Sequence, residues 1–136
     1  MNVTTGTDNS RSGVGLDRPN LALPNAYNSV WGRSLQFLNA AAFQPNAVGT
    51  FGNLGRDALF GPGLLQLDAA LSRLFSLSER YRLEARFEAF NMVNHTNFAA
   101  PAATLSSSSF GRITSQAVVN GQPDYRTLQF ALKIYF

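Results

Sequence analysis

The clearest signal in the chain is a period of two. From Tyr81 to Phe90, Tyr81, Leu83, Ala85, Phe87 and Ala89 share one parity, while Arg82, Glu84, Arg86 and Glu88 occupy the other. A strand with one apolar face gives this alternation. Helix is the competing reading, since Glu, Ala, Arg and Leu are good helix formers. On a helix, however, Arg82 would stand beside Arg86 and Glu84 beside Glu88, both like-charge pairs, and the apolar residues would be smeared around the cylinder. The pattern predicts a strand over about 79–91. The same period predicts a strand over about 64–75, where Leu65, Leu67, Ala69 and Leu71 alternate with Gln66, Asp68, Ala70 and Ser72 before Arg73 interrupts the apolar row. It also predicts one over about 125–136, where Leu128, Phe130, Leu132, Ile134 and Phe136 alternate with Thr127, Gln129, Ala131, Lys133 and Tyr135. Phe110–Ser115 is a candidate short strand.

The rest is irregular. Residues 1–62 are rich in Gly, Asn, Pro and Ser, with Tyr27, Trp31, Phe37, Phe43, Phe51 and Phe60 scattered among them at no sustained period. Loops longer than about 12 to 15 residues are uncommon in compact domains unless they are functional. The chain therefore divides into a long loop region, 1–62, and a strand region, 63–136, whose own connection from Asn91 to Asp124 is again loop-like.

An antiparallel sheet with one buried and one wet face would show the same alternation, so a small soluble β-sheet binding module is one reading. Three features point instead to an outer-membrane β-barrel. About ten residues at roughly 3.3 Å each, tilted by about 40°, project to roughly 25 Å, the height of a barrel's apolar band. The face carrying Arg82, Glu84, Arg86 and Glu88 suits a hydrated lumen, because unpaired charge in a packed core is costly. Connection lengths alternate short and long, as periplasmic turns and extracellular loops do. On this reading Ser76–Arg80 is a periplasmic turn, residues 1–62 are extracellular, and Arg73 lies near the lower headgroup layer with the aromatic residues Phe75, Tyr81, Tyr135 and Phe136.

Composition narrows the classes further. No apolar run approaches the roughly 18 to 20 residues of a membrane-spanning helix. Cysteine is absent, which removes disulfides and thiolate metal sites. The formal charge of +3 comes without any basic block, since only one of the eleven cations is Lys, so no nucleic-acid partner is implied. The first residues have neither the cationic start nor the apolar core of a signal peptide.

Several blocks together resemble one family: LNAAAF (Leu38 to Phe43), GTFGNLGRDALFGPG (Gly49 to Gly63), LLQLDAALSRLF (Leu64 to Phe75), ERYRLEARFEAFNMVNHTNFAAP (Glu79 to Pro101), FGRITS (Phe110 to Ser115) and LQFALKIYF (Leu128 to Phe136). Their order and spacing are similar to the carboxy-terminal end of TonB-dependent, Oar-like outer-membrane receptors, which carry a carboxypeptidase-regulatory-like domain ahead of a plug and a large barrel. Where that pattern has Pro after Asn39 and His95, this chain has Ala40 and Thr96. The resemblance implies a bacterial outer-membrane barrel of about 22 strands with a plugged lumen, taking up a scarce solute. This chain would be its last segment, with plug, energy-coupling segment and signal peptide lying elsewhere. Implied partners are membrane lipid, the barrel-assembly machinery, the rest of the barrel and plug, and a TonB-type energy-coupling protein reached through the missing amino-terminal part. Leu128, Phe130, Leu132, Ile134 and Phe136 would be both the lipid-facing row and the assembly signal. Arg82, Glu84, Arg86 and Glu88 would face the lumen. A barrel acting only as an adhesin or scaffold is a further alternative.

No enzymatic chemistry or cofactor is expected. His95 is the only histidine, and no nucleophile-elbow motif surrounds Ser106–Ser109. Gly49, Gly52 and Gly55 lack the spacing and the following Lys of a phosphate loop.

Overall fold

Strands and two short 3-10 turns are the regular elements of the computed structural model, which describes residues 1–119 and 121–136, without the side chains of Trp31, Gln122 and Pro123. The strands are β1 (Asn20–Leu21), β2 (Phe43–Gln44), β3 (Ala69–Ser76), β4 (Arg82–Phe90), β5 (Val118–Val119), β6 (Gln122–Pro123) and β7 (Thr127–Tyr135). The 3-10 turns are Trp31–Arg33 and Ala40–Ala42. Every strand pair is antiparallel. The chain forms two units, one of Met1–Pro62 with Phe98–Ser115, the other of Gly63–Asn97 with Gln116–Phe136.

The second unit is built on a three-stranded sheet in the order β3-β4-β7. Arg73 stands opposite Ala85, which stands opposite Leu132, and Leu71, Phe87 and Phe130 form another such row. Because side chains alternate across a strand, this register gathers the apolar row of each strand on one face. The β3–β4 connection closes tightly: Leu77 and Ser78 donate their amides to the Tyr81 carbonyl at 3.0 and 3.2 Å, and Ser78 Oγ accepts from the Tyr81 amide at 3.2 Å.

Two strand expectations are corrected. The strand expected to begin at Leu64 begins at Ala69, because the Asn97 side chain takes the place of a neighbouring strand at Leu65: its Oδ1 accepts the Leu65 N–H and its Nδ2 donates to the Leu65 carbonyl, both at 2.8 Å. No strand forms at Phe110–Ser115. Phe110 and Arg112 donate instead to the carbonyls of Ser107 and Ser109, and Gly111 sits at φ +72°, leaving one isolated bridge between Arg112 and Gln36. The last two long strands are shorter at both ends than the alternation suggested, at Arg82–Phe90 and Thr127–Tyr135.

The first unit has little regular structure but a real core. Val3, Phe37, Leu38, Ala42, Phe43, Leu54, Leu59, Phe110 and Ile113 are buried together. Full burial of a side chain such as Leu38 or Phe43 contributes about 1.5–3 kcal/mol. Phe43 meets Phe110 edge-on at 5.3 Å and Tyr27 meets Phe37 likewise at 5.6 Å, the favoured aromatic geometry. Gln36 Nε2 donates to the carbonyls of Leu38 and Phe110 at 2.9 Å, and a Cβ at Gly111 would collide with the Leu38 and Gln36 side chains, so only glycine fits there. Of the scattered aromatic residues, Phe37 and Phe43 are buried while Phe51 and Phe60 are exposed.

Candidate functional site

The three-stranded sheet has two chemically opposite faces. One carries Phe75, Leu83 and Ile134; then Arg73, Ala85 and Leu132; then Leu71, Phe87 and Phe130; then Ala69, Ala89 and Leu128, row by row. Arg73 is its only charge. The terminal row is left uncovered: Leu128, Phe130, Leu132 and Ile134 are 60, 65, 59 and 59% exposed, and Phe136 is 97% exposed. Among the described residues no helix or second sheet of this unit covers them, and a contiguous apolar surface of this kind marks a site of contact with something apolar. At the upper end of the same face Ala89 is buried.

The opposite face brings Arg82, Glu84, Arg86 and Glu88 together, as the alternation predicted, and adds Ser72, Ser76, Gln129, Lys133 and Tyr135 from the flanking strands. Arg86 Nη2 pairs with Glu88 Oε1 at 2.5 Å, and Tyr135 donates its hydroxyl to Glu84 Oε2 at 2.6 Å. Lys133 Nζ lies 4.5 Å from the centre of the Tyr135 ring, within cation–π range. Arg82 has no carboxylate partner among the described residues. It borders a concavity of about 350 Å³ lined by Ser72, Arg73, Leu74, Arg82, Glu84 and Tyr135. The face is not uniformly polar, since Leu74, Phe90 and Ala131 also lie on it.

Arg73 stands three residues above the last paired row of the sheet, since pairing continues through Leu74, Phe75 and Ser76. Its guanidinium lies over the Phe75 ring, 5.2 Å from the centroid, and so leans toward the β3–β4 turn.

Sequence reasoning missed a buried polar node at the other end of this sheet. Asn91, directly after β4, adopts φ +47°, where Asn is one of the few residues tolerated without strain. Its amide donates to Asp68 Oδ1 at 2.9 Å, its Nδ2 donates to the His95 carbonyl at 2.9 Å and the Asp124 carbonyl at 3.3 Å, and its Oδ1 accepts the His95 amide at 3.0 Å. Asn97 Nδ2 also donates to the Asp124 carboxylate. The node thereby joins the segments flanking all three long strands. His95 contributes to it, with Nδ1 3.1 Å from Asn97 Oδ1, rather than standing next to a nucleophile. The signal for it was the density of Asn in NMVNHTN, because Asn side chains satisfy buried backbone groups where a chain leaves a strand.

In the first unit, buried Asp17 accepts from the Ser10 amide at 2.6 Å, the Ser10 hydroxyl at 2.8 Å and Asn46 Nδ2 at 3.2 Å. The Ser10 backbone bond, helped by these side chains, outweighs the opposing effect of burial and holds the Asp17 carboxyl below its ordinary value.

Among the described residues, no three His, Asp or Glu side chains converge to hold a metal ion. Compared with protein families, the chain matches an outer membrane beta barrel domain over residues 1–129. No curated protein and no solved structure matches the chain.

Proposed function

Since the chain belongs to the outer membrane beta barrel domain family, we propose that it forms part of the wall of a TonB-dependent, Oar-like receptor that takes up a scarce solute through a plugged lumen. The observation that carries this reading is the uncovered apolar face backed by a charged one. Lipid on one side and water on the other satisfy both at once, whereas a soluble sheet would leave the apolar face without a partner. The blocks from Leu38 to Phe136 that resemble these receptors supply the finer assignment.

In this reading Leu128, Phe130, Leu132, Ile134 and Phe136 meet acyl chains, and the same row on an edge strand is what the assembly machinery captures by strand addition. Arg82, Glu84, Arg86 and Glu88 face the lumen and its plug. Residues 1–62 and the 91–126 connection lie outside the cell, where the core around Leu38 and Phe43 makes them a shaped surface for the solute rather than a loose fringe. The role is transport, with the remaining strands and the plug supplied by other parts of the receptor and the energy by a separate TonB-type protein.

The test is made in cells carrying the gene in its native context. The chain should fractionate with the outer membrane, and a cysteine at Glu88 should react with a polar, membrane-impermeant maleimide once the lumen is opened, while one at Phe130 should not. Depleting the TonB-type protein should stop solute uptake while leaving the barrel in the membrane. A barrel whose activity is untouched by that depletion is an adhesin or scaffold.

A further inference from the structure

We infer that Arg73 holds the phosphate of an inner-leaflet phospholipid against the lower half of the sheet's apolar face and so sets the depth at which this part of the wall sits. The inference rests on the lipid-facing assignment just proposed and deepens it. Arg73 is the one charge among the twelve side chains of that face, and no carboxylate among the described residues pairs with it. Its row lies roughly 8 Å above the last paired row of the sheet at ordinary strand rise and tilt, so on the lipid-facing reading it stands above the sheet's aromatic lower rim. A guanidinium so placed must reach polar surroundings. Long cationic side chains do so by laying their stems along apolar surface and carrying the charge to the interface. Arg73 leans that way, over Phe75 and toward the turn.

The chemistry at the end of that reach favours a phosphodiester. A guanidinium offers a planar fork of donors that matches two phosphate oxygens. Below it the apolar surface ends at Tyr81, a residue of the kind that sits at headgroup level.

The full chain, refolded into mixed vesicles of phosphatidylcholine and phosphatidylglycerol, is examined by electron spin resonance with chain-labelled lipids. Unmodified protein should favour labelled phosphatidylglycerol over phosphatidylcholine by roughly fivefold at low salt, the effect expected of one basic residue at an anionic surface. Arg73→Leu should bring the ratio to about one and Arg73→Lys should retain most of it. Inorganic phosphate in the buffer should not compete. Equal selectivity in the unmodified and Arg73→Leu proteins would overturn the inference, as would displacement by free phosphate. Arg73→Leu places a leucine on an apolar face, so its folding, followed by circular dichroism, should be intact. A spin label at Phe130→Cys, unique in a chain without cysteine, reports separately on the underlying assignment. If oxygen dissolved in the acyl region fails to relax it, the lipid-facing reading falls. If the label meets lipid while selectivity ignores Arg73, only the present inference falls.

Discussion

At the scale of single residues, the most consequential side chains are amides that stand in for backbone. Asn97 presents both an acceptor and a donor to Leu65, and it is fully buried. Replacing it by alanine removes both hydrogen bonds to Leu65, and a net intramolecular hydrogen bond contributes about 0.5–1.5 kcal/mol. Asn97→Ala should therefore lower stability by at least that amount in urea unfolding of the detergent-folded chain. A change below about 0.5 kcal/mol, the ordinary effect of a surface substitution, would show that Leu65 is held by something else. Asp17 supports a second prediction. Its carboxyl is held below its ordinary value in the folded chain, so ionised Asp17 stabilises the fold at pH above the unfolded value, and that contribution disappears as the pH falls through the folded one. Hydrogen exchange at the Ser10 amide should quicken across that acid window, and in Asp17→Asn the pH dependence should flatten. These residues were hard to read in the sequence for a physical reason. Asn97 and Leu65 are 32 positions apart and Gln36 and Phe110 are 74 apart, and polar side chains bonded to distant backbone leave no periodic trace.

At the scale of the element, the sequence carried more. A period of two on Tyr81–Phe90 survives translation into structure because the pleat itself has that period, and the register of β4 with β7 then sets Phe87 opposite Phe130 and Glu88 opposite Gln129. The same logic failed at Leu64–Asp68, where the alternation continues but Asn97 and Met92, through its amide on the Leu67 carbonyl, replace a strand as partner. Alternation reports which face a residue would take, not whether a neighbour is present to take its hydrogen bonds. It also cannot say what covers a face, which is why the apolar row needed coordinates to be seen uncovered. A pair of substitutions on adjacent residues of β7 tests the assignment of faces. In lipid vesicles, Phe130→Arg should cost about 2–4 kcal/mol, the penalty for a cation near the midplane of a barrel's outer surface, while Ala131→Arg, one residue away on the charged face, should cost close to nothing. Equal penalties, measured by urea unfolding, would mean that the two faces do not meet different solvents.

At the scale of the whole molecule, the three long strands leave β3 and β7 each with one edge unpaired among the described residues. The smallest membrane barrel of this class needs eight strands, so three cannot close on themselves. Unpaired edges are templates for further strands, and β3 and β7 carry little to blunt them: neither contains proline, and each has a single charge, Arg73 in β3 and Lys133 in β7. Edge pairing and the uncovered apolar face act together, since each copy that adds along an edge also extends the apolar surface exposed to water. In plain buffer the isolated chain should therefore form multimers or precipitate, with infrared bands of intermolecular antiparallel pairing. Detergent should relieve the face but not the edges, so dispersed particles holding several copies are expected by sedimentation. A single, cooperatively unfolding monomer in buffer without detergent would contradict both halves of this argument, because it would require the apolar row from Leu128 to Ile134 to be stable in water and the strand edges to be inert.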